Sequence, residues 1–233
     1  KNTNKLKIYK KILVILIKLQ KIKLKKIKNF KKKFYKIPIY SNKLIFNEAN
    51  LFLDWYIPKI VNKNKRLKIK KDLKKIITSL IKKIQLPNTT FVHRDFHVSN
   101  LMIKKNKISV IDSQDAVYGN IAYDLASLID DVRLKTSKNI KEMIYQSYLN
   151  LNKKKINKIK FKNDFEILSV LRNLKIIGIF TRLAIRDKKK IYLKLIPYAW
   201  NLIELRLKNN VIFKDLKACL DINFSKKIRL LIN

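Results

Sequence analysis

Between Phe91 and Asp131 the charge of this chain reverses. Both histidines, one of the two glycines and six of the sixteen acidic residues fall in this run, which holds only four of the 56 Lys and Arg residues. Its net charge is −2 against +42 for the rest of the chain, and from Ile108 to Asp131 there is neither Lys nor Arg. Carboxylates gathered in a sequence otherwise saturated with Lys, Ile and Asn suggest a place that holds something cationic. A divalent ion carrying a phosphate chain has the matching chemistry, because hard cations take oxygen ligands.

Composition narrows the setting. At 233 residues, 47% of them hydrophobic, the chain can bury a substantial core. A net charge of +40 would ordinarily direct attention to nucleic acid or anionic lipid. Here Lys is scattered through every segment outside the acidic run, always beside Ile and Asn, as an AT-rich coding bias would produce. No RNA- or DNA-binding motif accompanies it, so nucleic acid is not an expected partner. The single cysteine, Cys219, excludes an internal disulfide and reads as a small packing residue, which fits a reducing, cytoplasmic setting. The longest apolar run near the start, Ile12 to Ile17, is six residues long, whereas a spanning helix needs about 20. No transmembrane segment and no signal peptide are expected. The first residue is Lys rather than Met, so a fragment of a longer chain is anticipated.

The pattern is mostly helical. Residues 5–35 read as one or two basic, solvated helices, and we treat 1–35 as a basic helical segment ahead of a single domain over 36–233. Asn42 starts a helix expected to stop at Pro58, and a basic helix covers about 67–84 before Pro87. Thr89 to Val92 is a β-branched strand. Leu101–Lys104 and Lys107–Asp112 form a hairpin joined by Lys105 and Asn106, where Asn tolerates the positive φ of a tight turn. Helices are expected over about 122–134, 138–152, 162–186, 189–207 and 213–222.

The acidic run carries an ordered set of parts. Phosphoryl transfer needs a group that orients the attacking hydroxyl and oxygen ligands for the ion that neutralises the phosphate, fixed within a few ångströms. His93-Arg94-Asp95 is followed by Asn100, and the hairpin would return Asp112 beside Asn100. This set, with the Gly119 to Tyr123-Asp124-Leu125 segment, resembles the kinase-like aminoglycoside phosphotransferase family. The resemblance implies Asp95 as catalytic base and Asn100 and Asp112 as ligands of Mg2+ with ATP as phosphate donor. His93, Arg94 and Asp124 would be supporting residues, with Asp124 accepting backbone N–H groups of the catalytic loop. A helix-dipole carboxylate is the competing reading for Asp124.

The likeness extends over roughly residues 36–200. Pro38-Ile39-Tyr40 through Glu48 to Leu51–Tyr56, the run Ile111 to Ala116, and Gly178–Leu183 with Arg186-Asp187 look like bacterial anomeric N-acetylmuramate and N-acetylglucosamine kinases of cell-wall recycling. Ser113 stands where those kinases usually have Phe and Ile121 where they often have Pro. The resemblance implies a small-molecule hydroxyl acceptor, with Glu48, Asp54, Trp55, Gln114 and Asp115 as candidate substrate residues. Trp55 and Tyr56 read first as packed aromatics and second as a platform for a sugar face. An anionic sugar acid suits a body this positive, whereas a polycationic aminoglycoside would be repelled unless the pocket were locally very acidic. Choline, an aminoglycoside or a homoserine-like acceptor stays as an alternative, as does a non-catalytic basic remnant that binds anionic polymers.

A complete kinase of this kind also has an amino-terminal β lobe with a Gly-rich loop and a phosphate-gripping Lys. No Gly precedes position 119. The expected fold class is therefore α+β and predominantly helical: a protein-kinase-like carboxy-terminal lobe with a small hairpin at its catalytic loop and no β lobe. Such a chain, cut from a longer protein or surviving in a decayed gene, should bind ATP weakly by itself.

Overall fold

The computed structural model describes residues 2–28, 30–105, 107–152, 156–208 and 210–231. The chain packs as two compact units, each drawn from two separated stretches: Lys1–Ser41 with Gln85–Phe165, and Asn42–Ile84 with Glu166–Asn233. Neither unit has a boundary at residue 35. The class is α+β, with many helices and three small two-stranded sheets among the described residues.

In the first unit α1 (Asn2–Gln20) places Tyr9, Ile12, Leu13 and Leu16 in the core, an i, i+3, i+4, i+7 stripe. That stripe lies against α6 (Lys138–Leu151) and β3 (Thr90–Val92). The helix ends at Gln20, short of the helical span expected to residue 35. Lys26–Lys28 (β1) and Phe34–Lys36 (β2) form an antiparallel ribbon instead. A continued helix would stack Lys21 on Lys25, Lys28 on Lys32 and Lys32 on Lys36, like charges at i, i+4 that disfavour it, whereas Ile27, Phe34 and Tyr35 suit a strand.

Strand β3 pairs with β6 (Val117–Gly119), which the sequence pattern did not suggest, in the register Thr90↔Gly119, Phe91↔Tyr118, Val92↔Val117. Between them stands the hairpin of β4 (Leu101–Lys104) and β5 (Lys107–Val110), with Leu101 opposite Val110. Its expected turn residue Asn106 lies outside the described residues. Helix α5 (Tyr123–Ile129) is buried on every side, which fits its apolar composition, and stops at Ile129 rather than near 134.

The second unit is helical: α2 (Asn42–Leu51), a π-helical turn Phe52–Tyr56, α3 (Ile57–Ile60), α4 (Lys63–Lys82), α8 (Ile196–Leu207), α9 (Lys214–Asn223) and α10 (Lys226–Leu230), with most of α7 (Lys158–Ile185). Pro58 does not end the helix as expected. The wide π turn, in which Ile57 N–H bonds Phe52 O, carries the chain into α3 with Pro58 in its first turn, where a missing N–H costs little. Gly178 explains the local crowding. A Cβ there would lie 2.3 Å from Leu51 C and 2.5 Å from Phe52 N, so only glycine lets α7 approach the backbone at the π turn. Phe52, Tyr56, Trp200 and Phe224 form the aromatic centre of this unit, with Phe52 and Tyr56 stacked at 5.1 Å.

Candidate active site

The site grows from the end of β3. Val92 leads into His93 and then into Arg94, whose φ of 71° is left-handed and uncommon for a residue with a long side chain. The turn is held from beneath. Asp124, fully buried in α5, accepts a hydrogen bond from His93 N–H at 2.7 Å and from Arg94 N–H at 3.1 Å. An aspartate at the N-terminal turn of α5 also sits at the favourable end of the helix dipole, so its two readings coincide in one side chain. The Arg94 guanidinium donates to Asp115 O at 3.2 Å and lies 5.7 Å from the centre of the Tyr40 ring.

Past Asp95, the chain makes a short 3-10 turn, Val98–Asn100, pinned by a second buried carboxylate. Asp131 accepts from Val98 N–H and from Arg133 N–H, each at 3.0 Å. This turn delivers Asn100, largely buried, to the root of the hairpin. Its amide Nδ2 donates to Asp95 O at 3.0 Å and approaches Asp112 Oδ2 at 3.4 Å, and Ile111 N–H bonds Asn100 O at 3.1 Å. Asp112 stands at the exposed lip in a left-handed conformation, φ 69°, which aspartate tolerates better than most residues. Gln114 Nε2 donates to its other carboxylate oxygen. Asp95 is half-buried and Asp115 exposed. Asn100, Asp112 and Gln114 therefore meet side chain to side chain on one rim, where Asp95 and Asp115 contribute backbone carbonyls to the hydrogen bonding.

His93 lies beneath that rim, 1% exposed, and neither ring nitrogen makes a hydrogen bond of normal geometry. Burial pushes its pKa below the ordinary 6.5, opposed by the nearby Ile111 carbonyl and the Asp95 and Asp112 carboxylates. The ring is accordingly neutral at pH 7 and edge-on to Phe96 at 6.1 Å. It is a packing and spacing element.

The donor set suits a hard divalent cation. Asn100 and Asp112 each carry a side-chain oxygen, and the two side chains meet at 3.4 Å through the Asn100 amide nitrogen. Among the described residues no group of three or more His, Cys, Asp or Glu is placed to hold a metal ion. Two protein ligands are what a magnesium site commonly offers when phosphate oxygens and waters complete the octahedron.

Glu48, Asp54 and Trp55 belong to the second unit. Glu48 is ion-paired with Lys175 at 2.8 Å with little of either side chain exposed. Asp54 accepts from Asn50 Nδ2 at 2.5 Å and faces Lys70 at 3.7 Å. Trp55 is half-buried in the π turn. Tyr56 is buried and receives a 3.1 Å hydrogen bond from Trp200 Nε1, and burial raises its pKa to about 12, so its ring is a core element and not a sugar platform.

Sequence reasoning missed two buried carboxylates that tie down backbone around the candidate site. Asp131 is one. Asp164 is the other: fully buried, it accepts from Gln85 N–H at 2.8 Å, Leu86 N–H at 2.7 Å and Asn120 Nδ2 at 2.7 Å. Asn120 in turn accepts from Ala122 N–H at 2.9 Å, just ahead of α5. The available signal was its helical spacing with two aromatics, Phe161 three residues before it and Phe165 directly after it.

The profile of the Phosphotransferase enzyme family, APH, matches residues 33–156. The chain is 31% identical over 166 residues to the N-acetylmuramate/N-acetylglucosamine kinase of Neisseria meningitidis serogroup B, covering 69% of this chain and 50% of the relative. The enzyme of that name from Pseudomonas aeruginosa is 30% identical over 177 residues, covering 72% of this chain and 51% of the relative. That from Caulobacter vibrioides is 30% identical over 138 residues, or 57% and 38%. The chain thus spans about half the length of the curated relatives it matches most extensively. With the HRD-type turn, the Asn100–Asp112 pair and the buried Asp124 on one hairpin-bearing unit, and more than half the sequence matched, the chain belongs to the Phosphotransferase enzyme family, APH.

Proposed function

We propose that this chain is the kinase-like lobe bearing the base and cation ligands of an ATP-dependent phosphotransferase, whose acceptor is the anomeric hydroxyl of an amino sugar of the N-acetylmuramate or N-acetylglucosamine class. The carrying observation is the 3.4 Å approach of Asn100 to Asp112 beside Asp95. Asp95 takes the proton of the sugar hydroxyl as its oxygen attacks the γ-phosphorus, a role that fits a half-buried carboxylate at the rim. Asn100 and Asp112 would hold Mg2+, which when bound neutralises the phosphate oxygens. Asp124 keeps the loop fixed, so that Asp95 meets the hydroxyl without first paying for order. Gln114 and Asp115 would hydrogen-bond sugar hydroxyls. The sugar class rests on the names of the relatives and on charge: a sugar acid is not repelled by a body this basic.

The test is kinase turnover of the full-length protein on N-acetylmuramate and N-acetylglucosamine with Mg-ATP. Asp95→Asn should lower kcat by about 10³-fold with KM little changed and the fold intact by circular dichroism. Wild-type rates in that variant would remove Asp95 from the chemistry.

A further inference from the structure

The β1–β2 ribbon carries none of the residues given a role in the phosphotransfer reading. All six of its strand residues are exposed, on both faces. Phe30 is 90% exposed and Phe34 68%, and they are the only exposed phenylalanines among the chain's eleven. Leu24, Ile27 and Tyr35 are exposed beside them. Drift towards AT-rich codons would add phenylalanine anywhere, and elsewhere the fold covers it. Collection of the uncovered ones on one ribbon needs another cause.

Charge supplies the second observation. Residues 21–36 contain nine lysines, no acidic residue occurs before Glu48, and no arginine before Arg66. The register sets Lys26 directly opposite Lys36, a like-charge pair that destabilises an isolated ribbon. Lys28 Nζ lies 5.4 Å from the centre of the Phe34 ring, and Lys31 Nζ 5.6 Å from that of Phe30, so cation and aromatic ring present together. At the ribbon's base, Lys21, Lys23, Lys25 and Lys36 rim a cleft of about 740 Å³ with apolar walls that include Ile37 and Tyr118.

We propose that this ribbon docks on an anionic lipid bilayer surface, with Phe30, Phe34, Leu24 and Ile27 entering the headgroup boundary and the lysines on lipid phosphates. An anionic surface relieves the Lys26–Lys36 repulsion and gives the exposed rings an apolar phase. Nucleic acid fits less well. Exposed Leu and Ile gain nothing from base stacking, and the ribbon lacks arginine, the side chain that reads and stacks on bases. A protein partner would need an unusually acidic face to match nine lysines.

Co-sedimentation of the full chain with vesicles tests this. Phosphatidylcholine vesicles with phosphatidylglycerol at about two to one should bind at least roughly tenfold more tightly than phosphatidylcholine alone. Phe30→Ala with Phe34→Ala, which empties no core position, should weaken binding to the anionic vesicles about tenfold. Lys26→Gln, Lys28→Gln and Lys36→Gln together should weaken it roughly 100-fold, at about fivefold per lysine. The control is Lys68→Gln, Lys71→Gln and Lys75→Gln on α4, exposed lysines of the other unit, which should cost less than about threefold. An equal loss in that control means that bulk charge, not the ribbon, binds lipid, and overturns the proposal. Equal binding to neutral and anionic vesicles overturns it too. So does a single-stranded DNA that binds more tightly with the same dependence on Phe30 and Phe34, or a dimer in sedimentation velocity that the double Phe variant abolishes.

Discussion

Two antiparallel ribbons of the first unit, with three and four residue pairs, have opposite supports. The root of the β4–β5 hairpin is tied by Asn100, whose turn is fixed by Asp131, and by the preceding loop, whose N–H groups end on Asp124. The base of the β1–β2 ribbon is held by backbone and a tyrosine: Ile37 N–H to Lys25 O at 3.0 Å, and Tyr118 O–H to Ile22 O and Leu24 O at 3.2 and 3.1 Å. One ribbon is positioned by buried carboxylates and the other has none within its stretch of chain. A buried carboxylate that accepts two backbone N–H groups fixes a loop in one geometry, because leaving either donor unpaired in the interior is costly. Precision at the root of the β4–β5 hairpin therefore follows the acids of this chain, whereas the lysine-rich ribbon is held through backbone carbonyls and one tyrosine.

The comparison breaks most readily at Asp164. Asp164→Ala strands two backbone N–H groups and removes one of the two acceptors of Asn120 Nδ2, and should cost about 5 kcal/mol in urea unfolding of the full chain, enough to prevent folding in a marginal protein. Asp124→Ala should cost about 3 kcal/mol by the same measurement, through the His93 and Arg94 N–H groups. If either variant unfolds no more easily than one with Lys26, Lys28 and Lys36 all changed to Gln, which should stay within about 0.5 kcal/mol of wild type, the contrast between the ribbons is void.

A smaller effect concerns pH. The folded pKa of His93 lies below its unfolded value near 6.5, so the neutral ring is favoured in the fold. Its contribution is complete above the unfolded pKa and is lost as pH falls through the window between the two values. The urea midpoint should drop as pH falls below about 6.5, and His93→Gln should flatten that drop. A slope unchanged by the substitution would mean that His93 does not titrate in this range. Least of all, Lys36→Glu places opposite charges across β1–β2 and should slow amide exchange at Ile27 by severalfold, about 0.5 kcal/mol of local stability. Unchanged exchange would show that cross-strand charge does not limit the ribbon.

Much of the site was legible because its parts lie close in sequence. The spacing from Asp95 through Asn100 to Asp112 needs only a loop and one hairpin to converge, and β-branched Ile103 and Ile108 mark that hairpin. The helices with clean apolar stripes, α4 and α6, could be read for the same local reason. The ribbon at 26–36 could not, since Lys, Ile and Phe there satisfy helical spacing as well as strand alternation. Pro58 was misread because the π turn before it depends on Gly178, more than a hundred residues away, allowing α7 to come within contact of Leu51 and Phe52.

The sequence by itself determined where the carboxylates are concentrated and which of them can meet around one small hairpin, because charge and short-range spacing are properties of a local stretch. Only the tertiary structure decided which acids serve as anchors. Asp131 and Asp164 look on paper like surface residues, and they hold backbone N–H groups because distant segments bury them. It also decided that Tyr56 is core and Phe30 is exposed, since burial depends on what packs against a side chain and not on the residue itself.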